Sequence, residues 1–210
     1  MLYLQAAYIG SEWLWHTITF WLFFFGKAPA SVPTYTSFDT NATINGESVR
    51  SLLAGLRLAN QGSELLARHG IAENPEPGKW YPMQAWLDVL ADVEAEFGPE
   101  TLYSIGLQVV DHSQFPASLH SLSQAMRGLD LTYRTNVHGQ NMGYYHVVRE
   151  TEHEMLLHCR TPNPVPFDLG IITGLARRFK PADAVRVKVE VEPERPVPTD
   201  PHLTAFSIRW

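Results

Sequence analysis

The sequence predicts an α+β domain in which a helical N-terminal half packs on a four-stranded antiparallel sheet. Three observations support this prediction. Apolar residues recur at helical spacing from residue 45 to about residue 130, short apolar runs follow residue 139, and valines alternate with charged residues over 185–191. Helices gathered beside hairpin-paired strands are typical of this class. The predicted order is several helices, two strands, one helix and two strands.

The first helical region follows Asn45, a residue type that caps helix N-termini well. Its apolar positions continue to Gly70, which follows the last turn as a C-terminal glycine does. We expect Gln61–Ser63 to interrupt this region. A second helix begins near Pro82 and ends before Gly98. Its apolar stripe consists of Met83, Trp86, Leu87, Leu90, Val93 and Phe97.

Two further helices are predicted before the strands. The third follows Gly98 and Pro99 and carries its apolar residues at helical spacing. The fourth opens at Pro116. The apolar positions of these two helices are Leu102, Ile105, Val109, Val110, Leu119, Leu122, Met126 and Leu129.

The C-terminal part alternates between strands and one helix. Met142–Arg149 and Glu154–Cys159 are short runs around a turn, which predicts a hairpin. Pro166–Lys180 returns to helical spacing. The strict alternation over 185–191 predicts a strand with one buried face and one solvent face. Ala205–Trp210 is the fourth strand, and we expect it to pair with residues 185–191.

The chain divides into three parts by composition. Residues 1–25 hold nine of the 24 aromatic residues, so residues 1–31 form an apolar, aromatic-rich N-terminal segment. Three interpretations stay open for this segment: a membrane anchor, a helix that docks on the domain or on a partner, and an extension foreign to the natural protein. Residues 32–43 are interpreted as a linker, and residues 44–210 as the folded domain.

Composition and motifs exclude several classes of function. A net charge of −6 provides no basic field for nucleic acid. A single cysteine excludes an internal disulfide framework and a zinc site built on several thiolates. No phosphate-binding glycine loop and no G-x-S-x-G elbow is present. We therefore assign no catalytic residue and no metal ligand, and expect a cytoplasmic protein, with membrane association through the N-terminal segment left open.

Aromatic and polar side chains mix most densely around a glycine-rich turn. Tyr133 and Tyr145 lie on either side of Gly139 and Gly143. Such a loop rims a ligand pocket in some proteins, and in others it is a turn with core tyrosines. Nearby, His146 and His158 are placed to face each other across the hairpin if the register allows it. The cysteine of the second hairpin strand is interpreted as a buried apolar residue or as a reactive thiol.

Two stretches resemble a known superfamily. Residues 97–106 read FGPETLYSIG, and residues 159–179 read CRTPNPVPFDLGIITGLARRF. Together with the closing strand FSIRW, residues 206–210, they are similar to the ligand-binding domains of nitric-oxide signalling and Golgi transport. This superfamily includes 4-vinyl reductase domains, haem-nitric oxide/oxygen (H-NOX) domains and some TRAPP-complex subunits. The resemblance covers about residues 44–210.

The resemblance implies an α+β fold with an apolar or cofactor pocket between helices and sheet. It implies binding and sensing more often than catalysis. Zinc is not expected, because only one cysteine matches the pattern of the 4-vinyl reductase domains. Haem is disfavoured, because the haem branch uses a Y-x-S-x-R motif that the hairpin lacks and an axial histidine where Tyr133 stands. The residues expected to contact a ligand are Trp86, Tyr133, Tyr145, His146, Cys159 and Phe167.

The leading hypothesis is a non-enzymatic sensor domain that binds an apolar small molecule in a cavity of about 300 Å³ or more. One alternative is an enzyme or accessory protein of tetrapyrrole metabolism, which rests on the resemblance to 4-vinyl reductase domains. The other is a scaffold subunit that docks on a membrane or a protein through residues 1–25. The ligand itself stays unknown, and a homodimer is left open as the assembly state.

Overall fold

The computed structural model describes residues 34–56, 59–112, 119–194 and 196–210. Helices dominate the first part and strands the second, so the predicted α+β class is confirmed. In chain order the elements are β1 Thr43–Asn45, α1 Gly46–Gly55, α2 Ala59–Arg68, β2 Trp80–Pro82, α3 Met83–Phe97, α4 Pro99–His112, α5 Leu122–Asn136, β3 Val137–His138, β4 Tyr144–Glu150, β5 Glu154–Arg160, α6 Val165–Arg178, β6 Lys188–Val191 and β7 Leu203–Arg209.

The predicted four-stranded antiparallel sheet is confirmed. Its strand order is β4-β5-β7-β6, and the β4–β5 hairpin places Tyr145 opposite Cys159. Alternate residues of β5 are buried, because successive side chains point to opposite faces of a sheet. A bulge at Val148 interrupts the ladder between β4 and β5. The apolar face of this sheet is covered by helices, which places the core between the two layers.

A second, smaller sheet was not predicted. Strand β1 pairs with β2 and β3, so that Ile44 lies between Tyr81 and Val137. Each strand has only two or three residues, too few to show a period of two. The small sheet holds the starts of α1 and α3 beside the end of α5. Asn45 caps α1 as predicted, and its side chain accepts a hydrogen bond from Ser48 N at 2.9 Å.

The first helical region breaks earlier than the sequence predicts. Helix α1 ends at Gly55 and α2 begins at Ala59, so the expected break at Gln61–Ser63 is wrong. Gly62 lies inside α2, where a Cβ atom would come within 2.9 Å of Leu53 Cδ2. This glycine therefore serves close packing between the two helices, and it does not end either of them.

Two other predicted boundaries change. Helix α5 begins at Leu122, and the Ser121 side chain accepts from Gln124 N at its N-terminus. Residues 113–118, including Pro116, lie outside the described residues. Strand β6 covers only 188–191, and Val185 is 97% exposed, so the buried face predicted over 185–191 is absent at this end. As an edge strand, β6 pairs with β7 alone.

The predictions for residues 1–31 fall outside the described part of the chain, and so do residues 32 and 33 of the predicted linker. Residues 34–42 contain no helix or strand. They are held against α3, because Gln84 donates to Tyr35 O at 2.9 Å and accepts from Ser37 N at 3.0 Å. Within the described residues, no helix is both long and apolar enough to cross a membrane.

Candidate functional site

A cavity lies between the helices and the four-stranded sheet. Its volume is about 60 Å³, well below the 300 Å³ expected from the sequence. The wall is almost wholly apolar and draws on helices α1, α3, α4, α5 and α6 and on strands β1, β3 and β4. The lining residues are Ile44, Ser48, Met83, Trp86, Val109, Val110, Leu129, Thr132, Tyr133, Asn136, Val137, Tyr145, Asn163, Phe167, Ile171 and Leu175.

Two aromatic rings form one wall of the cavity. Trp86 belongs to the apolar stripe of α3 and is fully buried, while Phe167 lies in the first turn of α6. Their ring centroids are 6.0 Å apart at an interplanar angle of 69°. This edge-to-face contact is a favoured arrangement of aromatic pairs. The two rings are therefore held in place by each other as well as by the surrounding core.

A close contact between α4 and α6 positions another part of the wall. A Cβ atom on Gly106 would lie 2.2 Å from Phe167 O, and one on Gly170 would lie 2.2 Å from Tyr103 O. Only glycine permits the two backbones to approach so closely. The approach directs Val109 and Val110 of α4 toward the same cavity as Ile171 and Leu175 of α6.

Two tyrosines form the polar end of the cavity. The rings of Tyr133 and Tyr145 contact edge to face with centroids 5.4 Å apart. The Tyr133 hydroxyl donates to Met142 O at 2.8 Å, and the Tyr145 hydroxyl donates to Asp168 Oδ1 at 2.7 Å. Burial, and then the nearby Asp168 carboxylate, raise the pKa of both phenols well above the usual range. Both hydroxyls therefore stay neutral, and each already donates its hydrogen to a protein acceptor.

Behind Tyr145 lies a buried polar group that we call the Asp168 cluster, formed by Asp168 and its four donors. Asp168 is 3% exposed. Its Oδ1 accepts from the Tyr145 hydroxyl and from Asn163 Nδ2 at 2.9 Å. Its Oδ2 accepts from the Thr161 hydroxyl at 2.5 Å and from Cys159 Sγ at 3.1 Å. A carboxylate has about four lone-pair sites, so these donors saturate it.

Burial controls the protonation of the cluster. It raises the pKa of the Asp168 carboxyl, and the four hydrogen bonds only partly oppose this rise. Burial and the adjacent carboxylate also raise the pKa of the Cys159 thiol well above its usual range. A reactive cysteine needs a lowered pKa and solvent access. The environment of Cys159 favours a neutral, buried thiol.

A second, more polar cavity of about 490 Å³ adjoins the other side of the cluster. Its wall includes Thr34–Thr36, Glu94 of α3 and His202, together with Cys159 and Asp168. The Asp168 oxygens have no acceptor site left for a ligand. Asn163 lines both cavities, so the cluster separates an apolar space from a polar one.

The structure brings four of the six predicted site residues together. Trp86, Tyr133, Tyr145 and Phe167 line the apolar cavity. Cys159 lies in the Asp168 cluster. His146 lies elsewhere, exposed on the outer face of β4, where it pairs across the hairpin with His158.

Sequence reasoning missed Asp168, which organises the polar end of the site. A signal was present in its spacing. Asp168, Ile172 and Leu175 recur on one helical face, and the other two residues are plainly core residues. An acidic residue on the buried face of a helix needs donors around it.

No family model and no curated protein matches the sequence. Solved structures do match the fold. An oxygen-binding H-NOX domain related to soluble guanylate cyclases, solved as the oxygen complex, matches with a TM-score of 0.56 and 18% identity over 78% of this chain and 90% of that one. The fold is that of H-NOX domains. The predicted H-NOX likeness is thereby confirmed, whereas the likeness to 4-vinyl reductase domains stays a prediction.

Two further matches have the same fold. An Fe(II) unliganded H-NOX mutant from K. algicida gives a TM-score of 0.54 at 13% identity and covers 79% of this chain and 96% of that one. A structure from a study of haem redox potential and porphyrin distortion gives a TM-score of 0.59 at 15% identity. It covers 79% of this chain and 97% of that one. These structures raise the question of whether this cavity fits a haem.

The residues around the cavity do not fit a haem. An engineered apolar cavity of about 150 Å³ holds one benzene ring, so about 60 Å³ is far too small for a four-ring macrocycle. Haem iron in proteins is held by His, Cys, Met or Tyr. The described lining contains no histidine or cysteine, and its two tyrosines are engaged and neutral. Within that lining, Met83 alone is left as a potential ligand.

The described part of the chain also lacks a cluster of metal ligands. No three His, Cys, Asp or Glu side chains of the described residues come together as a metal site. Among these residues, His146 and His158 are a pair without a third ligand of these types.

Proposed function

We propose that the domain is a non-enzymatic sensor module that binds a small apolar molecule in the cavity between the helices and the sheet. The observation that carries this proposal is the almost wholly apolar cavity in the position where the superfamily resemblance implies a ligand. Apolar cavities accept apolar guests. This supports binding of a guest without a haem.

The size of the cavity limits the size of the guest. At about 60 Å³ it takes a molecule of only a few heavy atoms. The best small ligands gain about 1.5 kcal/mol per heavy atom, so four atoms give about −6 kcal/mol. This free energy corresponds to a Kd of tens of micromolar. We therefore expect weak, fast binding that follows the concentration of the guest.

The chemistry around the cavity favours binding over catalysis. Tyr133 and Tyr145 are the titratable groups of its described wall, and burial keeps both neutral at ordinary pH. A general acid or base works best with a pKa near the operating pH. The wall therefore supplies packing surface and a few hydrogen bonds.

Xenon binding followed by NMR tests this proposal. Under xenon pressure, we expect saturable shifts of the methyl groups of Val110, Leu129 and Ile171, because xenon enters dry apolar cavities. Leu129→Phe fills the cavity and abolishes these shifts. Leu131→Phe is the matched control on the same helix, because Leu131 is 66% exposed and does not line the cavity.

Two outcomes would contradict the proposal. One is the absence of saturable methyl shifts in the unsubstituted chain, or their persistence in Leu129→Phe. The other is a Soret band in the absorption spectrum of the purified full chain, which would show a bound haem.

The two alternative functions depend on other parts of the molecule. A tetrapyrrole substrate requires a larger site than the apolar cavity of about 60 Å³. A scaffold role depends on residues 1–25, which lie outside the described residues, and deletion of residues 1–31 followed by measurement of the oligomeric state tests it.

A further inference from the structure

The two edges of the four-stranded sheet differ in how they are protected. At the β4 edge, the ladder carries the bulge at Val148, and Asp130 of α5 accepts a hydrogen bond from Tyr145 N at 3.1 Å. At the opposite edge, β6 pairs with β7 alone. Bulges and covering side chains keep an edge strand from pairing with another chain, and an edge without them is a template for such pairing. Within the described residues, β6 is therefore the unprotected edge of this sheet.

The backbone of β6 directs hydrogen-bonding groups away from the sheet. Glu192 N, directly after β6, donates to Ala205 O at 2.8 Å. Because successive residues of an antiparallel ladder alternate in hydrogen bonding, the even-numbered residues of β6 bond to β7 and the odd-numbered ones direct N–H and C=O outward. Val189 and Val191 are such residues, and the described part of the chain offers them no other backbone partner.

The sequence pattern around β6 is longer than the strand itself. Residues 185–192 read VRVKVEVE, with two cationic residues before Val189 and two anionic residues after it. Only Lys188–Val191 form β6, and Val185 is 97% exposed. Pairing within the chain therefore leaves the first part of this regular pattern unexplained.

We propose that β6 pairs antiparallel with β6 of a second copy of this chain, with Val189 on the two-fold axis. In this register Lys188 lies opposite Glu190 of the second copy, and Arg186 lies opposite Glu192 of the second copy. Opposite charges directly across an antiparallel pair are stabilising. The same strand serves both copies, as a two-fold axis requires, and the two sheets join into one. This inference goes beyond the proposed function and does not depend on the apolar cavity.

The charges select this register from those that the backbone allows. The next register to either side places Lys188 opposite Lys188 of the second copy, or Glu190 opposite Glu190 of the second copy, and like charges are destabilising there. The charged residues also occupy the non-hydrogen-bonded positions, where side chains come closest. Within one chain, Glu190 contacts Lys188 at 2.8 Å and Arg209 at 3.2 Å. Pairing brings a further lysine to each Glu190.

The inner face at this edge is apolar. A groove of about 480 Å³ lies between β6, α4 and α6, and its wall includes Val165, Leu169, Val187, Val189 and Val191. Val165 and Val191 are 40% and 39% exposed. In the proposed pair, Val187 of the second copy lies opposite Val191, so the second strand continues this apolar surface. The apolar area that it covers adds to the backbone hydrogen bonds between the copies.

Charge reversal tests the inference on the full chain by sedimentation equilibrium. Lys188→Glu places glutamates opposite each other, and Glu190→Lys places lysines opposite each other. We expect each variant alone to self-associate at least about tenfold more weakly than the unsubstituted chain. A mixture of the two variants restores the cation–anion pairs, so we expect a heterodimer. Glu73→Lys, at an exposed position outside the sheet, matches the charge change of Glu190→Lys and should leave self-association unchanged.

Proline at the two-fold axis tests the backbone hydrogen bonds. Because the Val189 N–H faces away from β7, Val189→Pro removes a bond between the copies and none from the β6–β7 ladder. We expect this variant to be monomeric and to keep the circular dichroism spectrum of the unsubstituted chain. A dimer that persists in folded Val189→Pro would contradict the inference.

Other outcomes also overturn the proposed pairing. A full chain that stays monomeric up to about 100 μM does so. Self-association that survives both charge reversals, or a mixture that forms no heterodimer, places the interface elsewhere, such as on residues 1–25. If a charge variant does not fold, hydrogen exchange of the Val189 amide in the unsubstituted chain decides the point. Exchange that slows as the protein concentration rises supports the pairing, and exchange independent of concentration overturns it.

Discussion

The apolar cavity and the Asp168 cluster lie next to each other and share Tyr145 and Asn163. They differ in whether their polar groups have hydrogen-bond partners. In the cluster, four donors saturate one carboxylate. In the cavity wall, the indole N–H of Trp86 has no acceptor among the described residues. A saturated cluster stabilises the fold and has nothing to offer a ligand. A buried N–H without an acceptor costs free energy in the folded state.

The comparison also explains why the smaller of the two cavities carries the proposed function. The polar cavity is larger, yet the carboxylate in its wall has its acceptor sites filled. The apolar cavity is small, but its wall is almost wholly apolar and offers a surface that a small apolar guest can cover. Volume alone is therefore a poor guide to the binding site in this molecule.

Removal of the carboxylate should break the cluster and have the largest effect. Asp168→Ala leaves four donors without their acceptor, three of them buried, and we expect the free energy of unfolding to fall by about 4 kcal/mol. Urea denaturation measures this change. Asp183→Ala is the control, because Asp183 is exposed, and it should alter stability by less than about 0.5 kcal/mol. A loss below about 1 kcal/mol for Asp168→Ala would show that the cluster is not a stabilising unit.

Separation of α4 from α6 should disturb the cavity wall. We expect a somewhat smaller loss in the free energy of unfolding than for Asp168→Ala. Gly106→Ala places a Cβ atom 2.2 Å from Phe167 O, and we expect a loss of about 3 kcal/mol in the free energy of unfolding. The same substitution at Gly128, in α5, is the control. Its Cβ would have no neighbour nearer than 3.6 Å, so a gain of up to about 1 kcal/mol is expected. Thermal denaturation of both variants measures the difference, and equal effects would refute this account of the contact.

The smallest expected effect concerns the pH dependence of the free energy of unfolding. The folded-state pKa of Asp168 is raised by burial, so between the unfolded and folded pKa values the folded state holds more protons than the unfolded state. The free energy of unfolding therefore falls as pH rises through this window, with a slope of at most about 1.4 kcal/mol per pH unit. Asp168→Asn removes this contribution. Urea denaturation of both proteins at a series of pH values from about pH 4 upward measures this contribution. If the free energies of unfolding of the two proteins changed in parallel with pH, the raised pKa of Asp168 would be contradicted.

The sequence predicts the long elements well, and for a physical reason. The stripe of α3 and the run that forms α6 repeat often enough to identify both the helix and its buried face. The β4–β5 hairpin is visible in the same way. By contrast, β1, β2 and β3 have two or three residues each, and the pairing of Ile44 with Val137 joins parts of the chain far apart in sequence.

The candidate site was predicted in part. Trp86, Tyr133, Tyr145 and Phe167 were named from the sequence, and all four line the cavity. Neither the small size of the cavity nor the role of Asp168 followed from the pattern. Both depend on how closely side chains from several elements approach one another, which periodicity does not describe.

By itself, the sequence determined the class of the domain, the order of its main elements and the aromatic residues of its core, because these depend on local spacing. Only the tertiary structure decided that Asp168 collects four donors and that Trp86 Nε1–H meets no acceptor among the described residues. Hydrogen-bond partners such as Tyr145 and Asp168 lie 23 residues apart. They meet only when the hairpin and α6 pack on each other, and that packing fixes which polar groups are satisfied.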